Sequence, residues 1–536
     1  MDVVDSRFRQ RPLCVCLPAM FVLAPVPAAA VSPSALSIAV ARTGVAAAQQ
    51  TRASIVTNCS DDLHPQPGSL RYAIENAYDG ETIDLSQLGN DPFSDCGFLP
   101  EIKLSGGAIL VPNLALTLHG PDGGTVLISS YGSERNFTSL SPSLAIENLA
   151  IYGGNSSTSG GSINATGNLT LTNSQVYDAQ AVTRGGCVFA NGAVTLQSST
   201  LTNCTIAAGD GGAIRAGGDV VLQNSSILAG HAVTGGGCIS ASGSVSLQHS
   251  TVSGCTALDT SIYTGQQVLY QTVGGGIVAD TVTLSDASRV ADSLAKGPYW
   301  SPYDVNLGYL GYGGGVRANT FICSDSTIHN NKVPGYNAGG GISAGQLTLT
   351  RCTVDGNTGG SAIAITGQAH VTNSTISGNY RIGIRAVGGN LTLTSSTVTG
   401  NGINGLALYG TIITPQSSIV FGNGPGPGFY DIKMADIVSY LFTGSDNLIG
   451  PTSPPAAQGV VTVTADPQLL PLADNGGPTW THALPAGSPA RNKGNNAGHL
   501  ANDQRGDGYV RAFGRPDIGA FELQVPGDEI FYGGFD

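Results

Sequence analysis

The chain has 536 residues and a formal net charge of −13 at pH 7, with 41% hydrophobic and only 11% charged residues. This hydrophobic fraction supports a packed core and excludes wholesale disorder. The negative charge and the scarcity of lysine argue against nucleic acid or an anionic membrane as partner, and leave neutral polymers such as glycans open.

The N-terminus has the pattern of an export signal. Three arginines precede the apolar stretch LCVCLPAMFVLAPV, and the small residues at 28–30 offer a cleavage site. We therefore predict a signal peptide over 1–30, with a second candidate cleavage site as late as 48, and a linker over 31–57. No later run of about 18 apolar residues follows, so the sequence predicts no transmembrane span after signal removal.

One amphipathic helix is predicted in GSLRYAIENAYDG, residues 68–80. Ser69 is a suitable N-cap, and Gly80 is a suitable end. Four apolar residues recur at helical spacing and form one face: Leu70, Ala73, Ile74 and Ala77. Because the end of a solenoid exposes apolar core, this helix is expected to cover the first coil.

A repeat of 21 to 39 residues occupies the middle of the chain. The apolar residue after each Gly-Gly step recurs as Ile163, Val188, Ile214, Ile239, Ile277, Val316, Ile342, Ile363, Ile384 and Leu406. A second set of apolar residues follows the same irregular rhythm: Leu171, Leu196, Leu222, Leu247, Leu284, Cys323, Leu349, Val371 and Leu393. Two independent landmarks with one rhythm establish the repeat.

Each repeat alternates apolar and polar residues with a period of two, as in VSLQ and LTLT, which predicts strands. The alternation slips once within a unit, and glycines precede each unit, so three short strands separated by three corners are expected. The sequence therefore predicts an all-β protein, a parallel β-helix of about a dozen coils with an N-terminal capping helix. Equivalent residues of successive coils would stack at about 4.8 Å.

Stacking of the coils predicts ladders of identical polar residues. One ladder contains Ser199, Ser225, Ser250, Ser326, Ser374 and Ser396. Another contains Asn331, Asn357, Asn379, Asn401 and Asn423. Stacked Asn side chains can hydrogen-bond along the axis of the helix.

Three parts of the chain resemble a family of exported bacterial right-handed parallel β-helix proteins. They are the N-terminal signature NCSDDLHPQPGSLRYAIENAYDGETIDLSQL, the coil motifs GGGI, LTLT and STVSGN, and the segment DPQLLPLADNGGPTWTHALPAGSPARNKG…DQRG…RPDIGAFE (466–522). The last segment is similar to the choice-of-anchor domain that follows such helices. The β-helix that precedes this domain resembles the fold of pectate lyases. The final residues, GDEIFYGGFD, are similar to short tails of some Gram-negative members.

The resemblance implies export, a small β-rich C-terminal domain and a home outside the cell or on the outer surface of a Gram-negative bacterium. It also predicts the organisation of the chain: the cap and first coils span 58–120, the β-helix repeats 121–450, the choice-of-anchor-like domain 451–526 and the tail 527–536. It implies no reaction.

Eight of the ten cysteines lie after the predicted signal peptide, and an even number in an exported chain favours disulfides. Equivalent sites two coils apart lie about 9–10 Å from each other, which is beyond disulfide reach. The candidate pairs are therefore Cys187–Cys204 and Cys238–Cys255 within single coils, and Cys59–Cys96 at the cap. Cys323 aligns with a core Leu and Cys352 with the Ser ladder, so both are expected to be free thiols. No spacing of His or Cys suggests a metal site, and no cofactor is predicted.

Two long coils supply the best candidate binding site. Their extra 12 to 13 residues fall within 256–273 and 288–312, ahead of the same glycine corner, so both loops are expected on one side of the solenoid. They carry Tyr263, Tyr270, Tyr299, Trp300, Tyr303, Tyr309 and Tyr312. Exposed aromatic rings suit stacking on sugars or contact with another protein, although the same rings would also serve to pack the loops onto the helix.

Acid–base chemistry has weaker support in the sequence. The candidate acids and bases are Asp210, Arg215, Asp292, Lys296 and Asp304. No stacked acidic cluster recurs at coil spacing, as a calcium-dependent lyase or a two-carboxylate hydrolase would need. We therefore favour the interpretation that these residues are solvated loop charges.

The sequence thus favours a secreted or cell-surface protein that acts as an adhesin or binds glycans through its aromatic loops. The alternative is a polysaccharide lyase or hydrolase that acts on an extracellular polymer, and a third class is a structural spacer that presents the C-terminal domain. A polysaccharide or another surface protein is the expected partner, and the solenoid is expected to be monomeric.

Overall fold

Successive turns of the chain pair with one another through short parallel strands. The computed structural model describes residues 53–88, 96–97, 99–123, 126–259, 262–263, 272–297, 299–300, 311–334, 339–435, 442–453, 455, 460–512 and 514–524. These residues form an all-β parallel solenoid of about 14 turns with almost no helix, which confirms the predicted fold class. Its strands lie in three long faces and one short strip.

Face A follows the glycine corner of each coil. Its strands are Ile109–Val111, Phe137–Ser139, Ile163–Ala165, Val188–Ala190, Ile214–Ala216, Ile239–Ala241, Ser361–Ile365, Ile382–Val387, Asn404–Tyr409, Ile432–Met434 and Thr452–Ser453. Three longer strands run through both face A and the next face: Ile277–Ser285, Val316–Ser324 and Gly339–Thr350.

Face B carries the VSLQ-type segments. Its other strands are Ala53–Ile55, Glu81–Asp84, Leu116–His119, Ser143–Glu147, Asn168–Thr172, Val194–Gln197, Val220–Gln223, Ser244–Gln248, Ala369–Thr372, Asn390–Thr394 and Ile412–Gln416. Both predicted apolar ladders are confirmed, since Ile163 pairs with Val188 on face A and Leu171 pairs with Leu196 on face B.

Face C is a separate sheet of 15 parallel strands. They are Glu101–Lys103, Val126–Ser129, Leu149–Tyr152, Gln175–Tyr177, Thr200–Thr202, Ser226–Leu228, Thr251–Ser253, Arg289–Ala291, Thr327–His329, Thr353–Asp355, Thr375–Ser377, Thr397–Thr399, Ile419–Phe421, Asn447–Ile449 and Val461–Val463. The middle residue of almost every strand is apolar and buried, so the first and third residues lie on the outer surface.

A short strip of six strands closes the central coils: Asn155–Ser156, Gln180–Ala181, Thr205–Ile206, His231–Ala232, Thr256–Leu258 and Leu294–Lys296. Two further parallel pairs join the long loops, Ile262–Tyr263 with Tyr299–Trp300 and Thr272–Val273 with Gly311–Tyr312. One antiparallel pair, Leu472–Ala473 with Thr481–His482, lies near the C-terminus.

Sharp corners between the faces depend on backbone angles in the left-handed region. The corner between faces B and C has a residue of positive φ in nearly every coil, for example Asn173 at 48° and Asn224 at 49°. At the corner before face A, a Cβ on Gly212 would collide with the carbonyl oxygen of Gly237 in the next coil. Glycine is required there because the backbones of adjacent coils touch.

The Ser ladder is present and hydrogen-bonded from coil to coil. The backbone N–H of Ser199 donates to Oγ of Ser225 (3.1 Å), and that of Ser225 donates to Oγ of Ser250 (3.0 Å). Each Oγ also donates to a carbonyl of its own coil, as from Ser225 to Gln223 (2.7 Å). The ladder therefore satisfies backbone groups that the corner would otherwise bury without partners.

The Asn ladder is also present, and it ends on a carboxylate. Nδ2 of Asn379 donates to Oδ1 of Asn401 (2.8 Å), and Asn401 repeats the contact with Asn423 (2.8 Å). Asn423 then donates to Oδ1 of Asp431 through both its backbone N–H (2.8 Å) and Nδ2 (2.7 Å). Burial raises the pKa of Asp431, although the donors from Asn423 oppose this shift.

The capping helix spans Leu70–Glu75 and is shorter than the predicted segment. Ser69 is its N-cap and accepts a hydrogen bond from the Tyr72 N–H (3.3 Å), as predicted. The chain leaves the helix at Asn76, ahead of Gly80. Arg71 pairs with the buried Asp61 through two hydrogen bonds of 2.7 and 2.9 Å. Asp61 also accepts the Ser105 N–H (2.9 Å), and this bond ties the cap to the first coils.

The structure confirms three predicted disulfides and adds a fourth. Cys59–Cys96, Cys187–Cys204 and Cys238–Cys255 are all bridged, with Cα–Cα distances of 5.2, 5.2 and 5.4 Å. The prediction that Cys323 and Cys352 are free is wrong, because they form a disulfide with a Cα–Cα distance of 6.4 Å. Their positions in the repeat are as predicted, but they are non-equivalent sites of adjacent coils, and one coil step places them within reach.

The C-terminal segment, residues 466–524, packs back against the outer surface of face C. Gln504 is buried between Thr353 and Thr375, with hydrogen bonds of 3.0 and 2.6 Å to their hydroxyls. Oγ of Ser377 bonds Nε2 of His482 (2.7 Å). The DQRG motif therefore serves to attach this segment to the solenoid.

Arg505 of the same motif is 5% exposed and pairs with Asp503 at 2.7 Å. Its guanidinium lies 4.0 Å from the centroid of the Tyr509 ring and 3.9 Å from that of Phe521. The RGD sequence at 505–507 therefore has its arginine inside the core of the segment, where it cannot serve as an adhesion motif.

We expect Asn379→Ala to lower the free energy of unfolding by about 1–3 kcal/mol, because it removes the acceptor of the buried Asn357 N–H and of the Asn357 side-chain amide. Urea unfolding measures the change. The matched control is Asn390→Ala, at an exposed site on face B, which should change stability by less than about 0.5 kcal/mol. Equal effects of the two variants would contradict a stabilising ladder.

Candidate functional site

Two rows of side chains run along the outer surface of face C in strict register. The first row comprises the residue before the central buried apolar residue of each strand: Glu101, Leu127, Ala150, Gln175, Thr200, Ser226, Thr251, Arg289, Thr327 and Thr353. The second row comprises the residue after it: Lys103, Ser129, Tyr152, Tyr177, Thr202, Leu228, Ser253, Ala291, His329 and Asp355. Residues of neighbouring coils in each row are about 4.8 Å apart.

The C-terminal segment covers these rows from Thr353 onward. Its edge at Thr353 forms a step above the uncovered coils that precede Thr353. Oγ1 of Thr353 donates to the carbonyl oxygen of Trp480 (2.7 Å), while the Trp480 side chain stands 52% exposed. A cavity of about 250 Å³ lies at the foot of the step. Its lining combines both rows with the C-terminal segment: Ala287, Arg289, Thr327, His329, Thr353, Asp355, Pro478 and Trp480.

A histidine–aspartate pair forms part of the cavity wall. Nδ1 of His329 lies 2.7 Å from Oδ2 of Asp355, on adjacent coils of the second row. Burial raises the pKa of Asp355, and the charge and hydrogen bond of His329 oppose but do not cancel this effect. The contact at Nδ1 holds the ring orientation and leaves Nε2 for a ligand.

Arg289 supplies an exposed cation to the same cavity. Its guanidinium is 3.9 Å from Oδ2 of Asp292, and its side chain is 47% exposed. Asp292 is held from the other side by Nδ2 of Asn330 (2.7 Å). Arg289 therefore keeps donors that a ligand in the cavity can use.

A second cavity, of about 380 Å³, adjoins the first, because Ala287 and Pro478 line both. Its floor is the pair Arg351–Asp325, joined by two hydrogen bonds of 2.6 Å that raise the pKa of Arg351. The remaining lining is polar and mostly charged: His249, Asp286, Arg505, Gly506 and Asp507. The two cavities together form one groove along the edge of the C-terminal segment, named here the step groove.

The step groove combines the elements of a carbohydrate site. An exposed indole offers a flat apolar surface, and paired acids, an arginine and a histidine surround it with fixed hydrogen-bonding groups. Across the described ranges no three His, Cys, Asp or Glu residues converge on a point where a metal ion could bind. Within the same ranges no helix has the length and apolar character needed to cross a membrane.

The predicted aromatic loops can be placed only in part. Their backbones pair in register, Tyr263 opposite Trp300 and Val273 opposite Tyr312, so the loops do lie on consecutive coils on one side. Tyr312 is half-buried and packs against Ala295 and Val333. Tyr263, Tyr299 and Trp300 are described through their backbones alone, and Tyr270, Tyr303 and Tyr309 lie outside the described residues.

The predicted acids and bases are held in separate structural contacts. Asp210 binds Arg215 (2.9 Å) and Oγ of Ser240 (2.6 Å) on neighbouring coils. Asp292 contacts Arg289 at the edge of the step groove. Lys296 ends a strand of the short strip, where its carbonyl accepts the Asp259 N–H (3.0 Å). Asp304 lies outside the described residues.

Sequence reasoning missed the three residues that define the step groove, Trp480, His329 and Asp355. The second row could have been predicted from the sequence, because each of its residues follows a residue of the Ser ladder at a fixed spacing. The place of Trp480 could not, since it meets Thr353 across 127 positions of sequence.

Comparisons with known proteins give a family model and two solved structures. The model of the right-handed β-helix region matches residues 310–435. The crystal structure of the periplasmic alginate epimerase AlgG has 11% sequence identity and a TM-score of 0.33, and the alignment covers 69% of this chain and 84% of that one. A point mutant of that enzyme aligns over the same shares with a TM-score of 0.31 and 11% identity. No curated protein sequence matches the chain.

Asp355 gives the site a pH dependence that can be measured. Because burial raises its pKa, the native protein keeps this proton to higher pH than the unfolded chain, whose Asp titrates near pH 3.9. Stability from this group is thus complete below about pH 3.9 and is lost as pH rises through the raised value. We expect Asp355→Asn to gain stability relative to wild type as pH rises through that window, measured by urea unfolding.

The matched control is Asp286→Asn, because Asp286 is exposed and its charge stays in solvent. Its difference from wild type should not vary with pH in the same way. A stability difference for Asp355→Asn that is constant with pH would contradict the buried, proton-retaining carboxyl.

Proposed function

We propose that this protein is an extracytoplasmic β-helix that binds a linear, neutral polysaccharide on face C, with the step groove as its anchor. The observation that carries the proposal is the exposed Trp480 indole beside the exposed Arg289 and the His329–Asp355 pair, over a cavity of about 250 Å³. Stacking of a sugar ring on the indole, with hydroxyls bound by the charged groups, is the mode of recognition that these groups support.

The charge of the site favours a neutral ligand. Five carboxyl groups lie in or beside the step groove, Asp286, Asp292, Asp325, Asp355 and Asp507, and the whole chain has a net charge of −13. Arg351 and Asp325 neutralise each other. An acidic polymer would meet more negative than positive charge here, whereas a neutral sugar can use both signs as hydrogen-bonding partners.

Four disulfides support a location outside the cytoplasm, since such bonds persist in oxidising compartments. The signal-like N-terminus and the resemblance of the C-terminal segment to choice-of-anchor domains extend this proposal to the outer surface of a Gram-negative bacterium. An adhesin role is the form of the proposal in which the polysaccharide belongs to another cell or to a surface.

A second candidate function is lyase or hydrolase chemistry at the same place. His329 is oriented by a buried carboxyl and keeps Nε2 available, as a general base requires. Arg289, in the adjacent coil, would neutralise the carboxylate of a uronate unit while Nε2 of His329 takes the proton from C5. The C4–C5 double bond would then form as the glycosidic C4–O4 bond breaks, and water would protonate the leaving sugar. This arrangement favours a lyase over a two-carboxylate hydrolase.

The test is binding of β-1,4-linked glucose, mannose and xylose oligomers by isothermal titration calorimetry. We expect Trp480→Ala to weaken binding by at least about tenfold, as loss of a central aromatic contact does. The matched control is Tyr380→Ala, which removes an aromatic side chain that is 68% exposed but lies outside the step groove, and it should bind as wild type does.

Wild type that binds none of these oligomers would contradict the proposal and leave a structural spacer as the function. Release of unsaturated products from polygalacturonate, lost in His329→Gln, would overturn the neutral-ligand proposal in favour of a lyase. Equal affinities of wild type and Trp480→Ala would place the binding site elsewhere.

A further inference from the structure

Three tyrosines stack along the N-terminal part of face C. The ring centroids of Tyr131 and Tyr152 are 5.6 Å apart with an interplanar angle of 84°, and those of Tyr152 and Tyr177 are 5.1 Å apart at 42°. Tyr131 is 60% exposed, and the other two are half-buried. The three rings form a continuous aromatic strip, named here the tyrosine strip. Tyr152 and Tyr177 are in register on adjacent coils, and Tyr131 lies two residues beyond Ser129, the partner of Tyr152 in the preceding coil.

Polar groups hold the end of the tyrosine strip in place. Oγ of Ser129 donates to Glu101 (2.7 Å), and Nζ of Lys103 lies 3.6 Å from Glu101 and 5.5 Å from the centroid of the Tyr131 ring. The hydrogen bond between Tyr131 and Glu101 raises the pKa of the Tyr131 hydroxyl. These contacts fix the position of Tyr131 and leave much of its ring open to solvent.

Tyr152 and Tyr177 of the tyrosine strip belong to the second row, which also reaches the step groove. From Tyr177 the row continues through Thr202, Leu228, Ser253 and Ala291 to His329, one residue per coil. Five coil steps at about 4.8 Å place the strip about 24 Å from the groove along one straight line. The residues between them are smaller than the aromatic groups at either end, so they form the floor of a shallow trough.

We propose that the tyrosine strip is a second subsite for the polysaccharide, which lies along face C parallel to the solenoid axis and reaches both ends of the trough. The coil spacing is close to the advance of one pyranose residue in an extended β-1,4-linked chain, so successive rings of the polymer meet successive coils. Tyrosine rings give apolar stacking surfaces with hydroxyl groups at their edges, which suits sugars better than it suits an apolar partner. This inference rests on the proposed function.

A role in folding alone does not account for the tyrosine strip. The equivalent positions of the flanking coils are Ser129 and Thr202, and those coils have the same register and backbone hydrogen bonds. The apolar core lies on the other side of face C, beneath Ile151 and Val176. The outward rings of Tyr152 and Tyr177 therefore add a surface that the solenoid does not need.

The experiment compares short and long oligomers on variants that keep the fold. Tyr152→Ser and Tyr177→Thr each insert the residue that the flanking coil already carries, and they are combined in one double variant. Titration uses β-1,4-linked oligomers of about four and about ten residues, from the sugar that wild type binds. Two linked subsites give a long chain a much higher affinity than either subsite alone.

We expect wild type to bind the ten-residue oligomer at least about tenfold more tightly than the four-residue oligomer. The double tyrosine variant should lose this advantage and bind the short oligomer as wild type does, while Trp480→Ala should weaken binding of both. A long-chain advantage that survives in the tyrosine variant would overturn this inference and leave the proposed function intact. Absence of binding by wild type would contradict the proposed function itself.

Discussion

The parallel backbone ladder of face C is the constraint on which the other features depend. Each strand pairs residue for residue with the next, and the pairing stays in register from Glu101 through Ile419. A fixed register turns a sequence position into a straight row of side chains along the solenoid. Two residues separated by 152 positions, Tyr177 and His329, are therefore members of one row.

The corners protect this register against changes in coil length. Coils of 38 or 39 residues still pair Thr251 with Arg289 and Arg289 with Thr327, because the extra residues leave between the short strip and face A. The Ser ladder binds backbone groups at the corner between faces B and C, and the Asn ladder does so at the corner after face C. Two disulfides, Cys187–Cys204 and Cys238–Cys255, each close a single coil. Loops can thus vary on one side while the rows of face C remain continuous.

Much of the fold was predictable because it follows from periodicity. Residues that are equivalent in successive repeats can be identified from the Gly-Gly steps, the apolar ladders and the Ser and Asn ladders. In a solenoid, equivalent residues of adjacent coils lie in contact. The disulfide Cys323–Cys352 was missed because its members are not equivalent, and only the corner geometry brings them together. For the same reason within-coil pairs such as Cys187–Cys204 had to be left as candidates until their Cα atoms could be measured.

The candidate site was less predictable than the fold. Tyr152, Tyr177 and His329 occupy a recognisable position of the repeat. Whether they can contact a ligand depends on which parts of face C the C-terminal segment leaves uncovered. Gln504 and Trp480 of that segment reach strands more than 120 positions away. The predicted aromatic loops remain a prediction, because most of their side chains lie outside the described residues.

Binding along face C, parallel to the solenoid axis, can be observed in a crystal structure of the protein with a β-1,4-linked oligomer of about ten residues. We expect the oligomer to lie parallel to the axis, with one sugar ring on Trp480 and another on the tyrosine strip. An oligomer that crosses the axis, or that lies on the loops within 256–312 away from face C, would contradict this expectation.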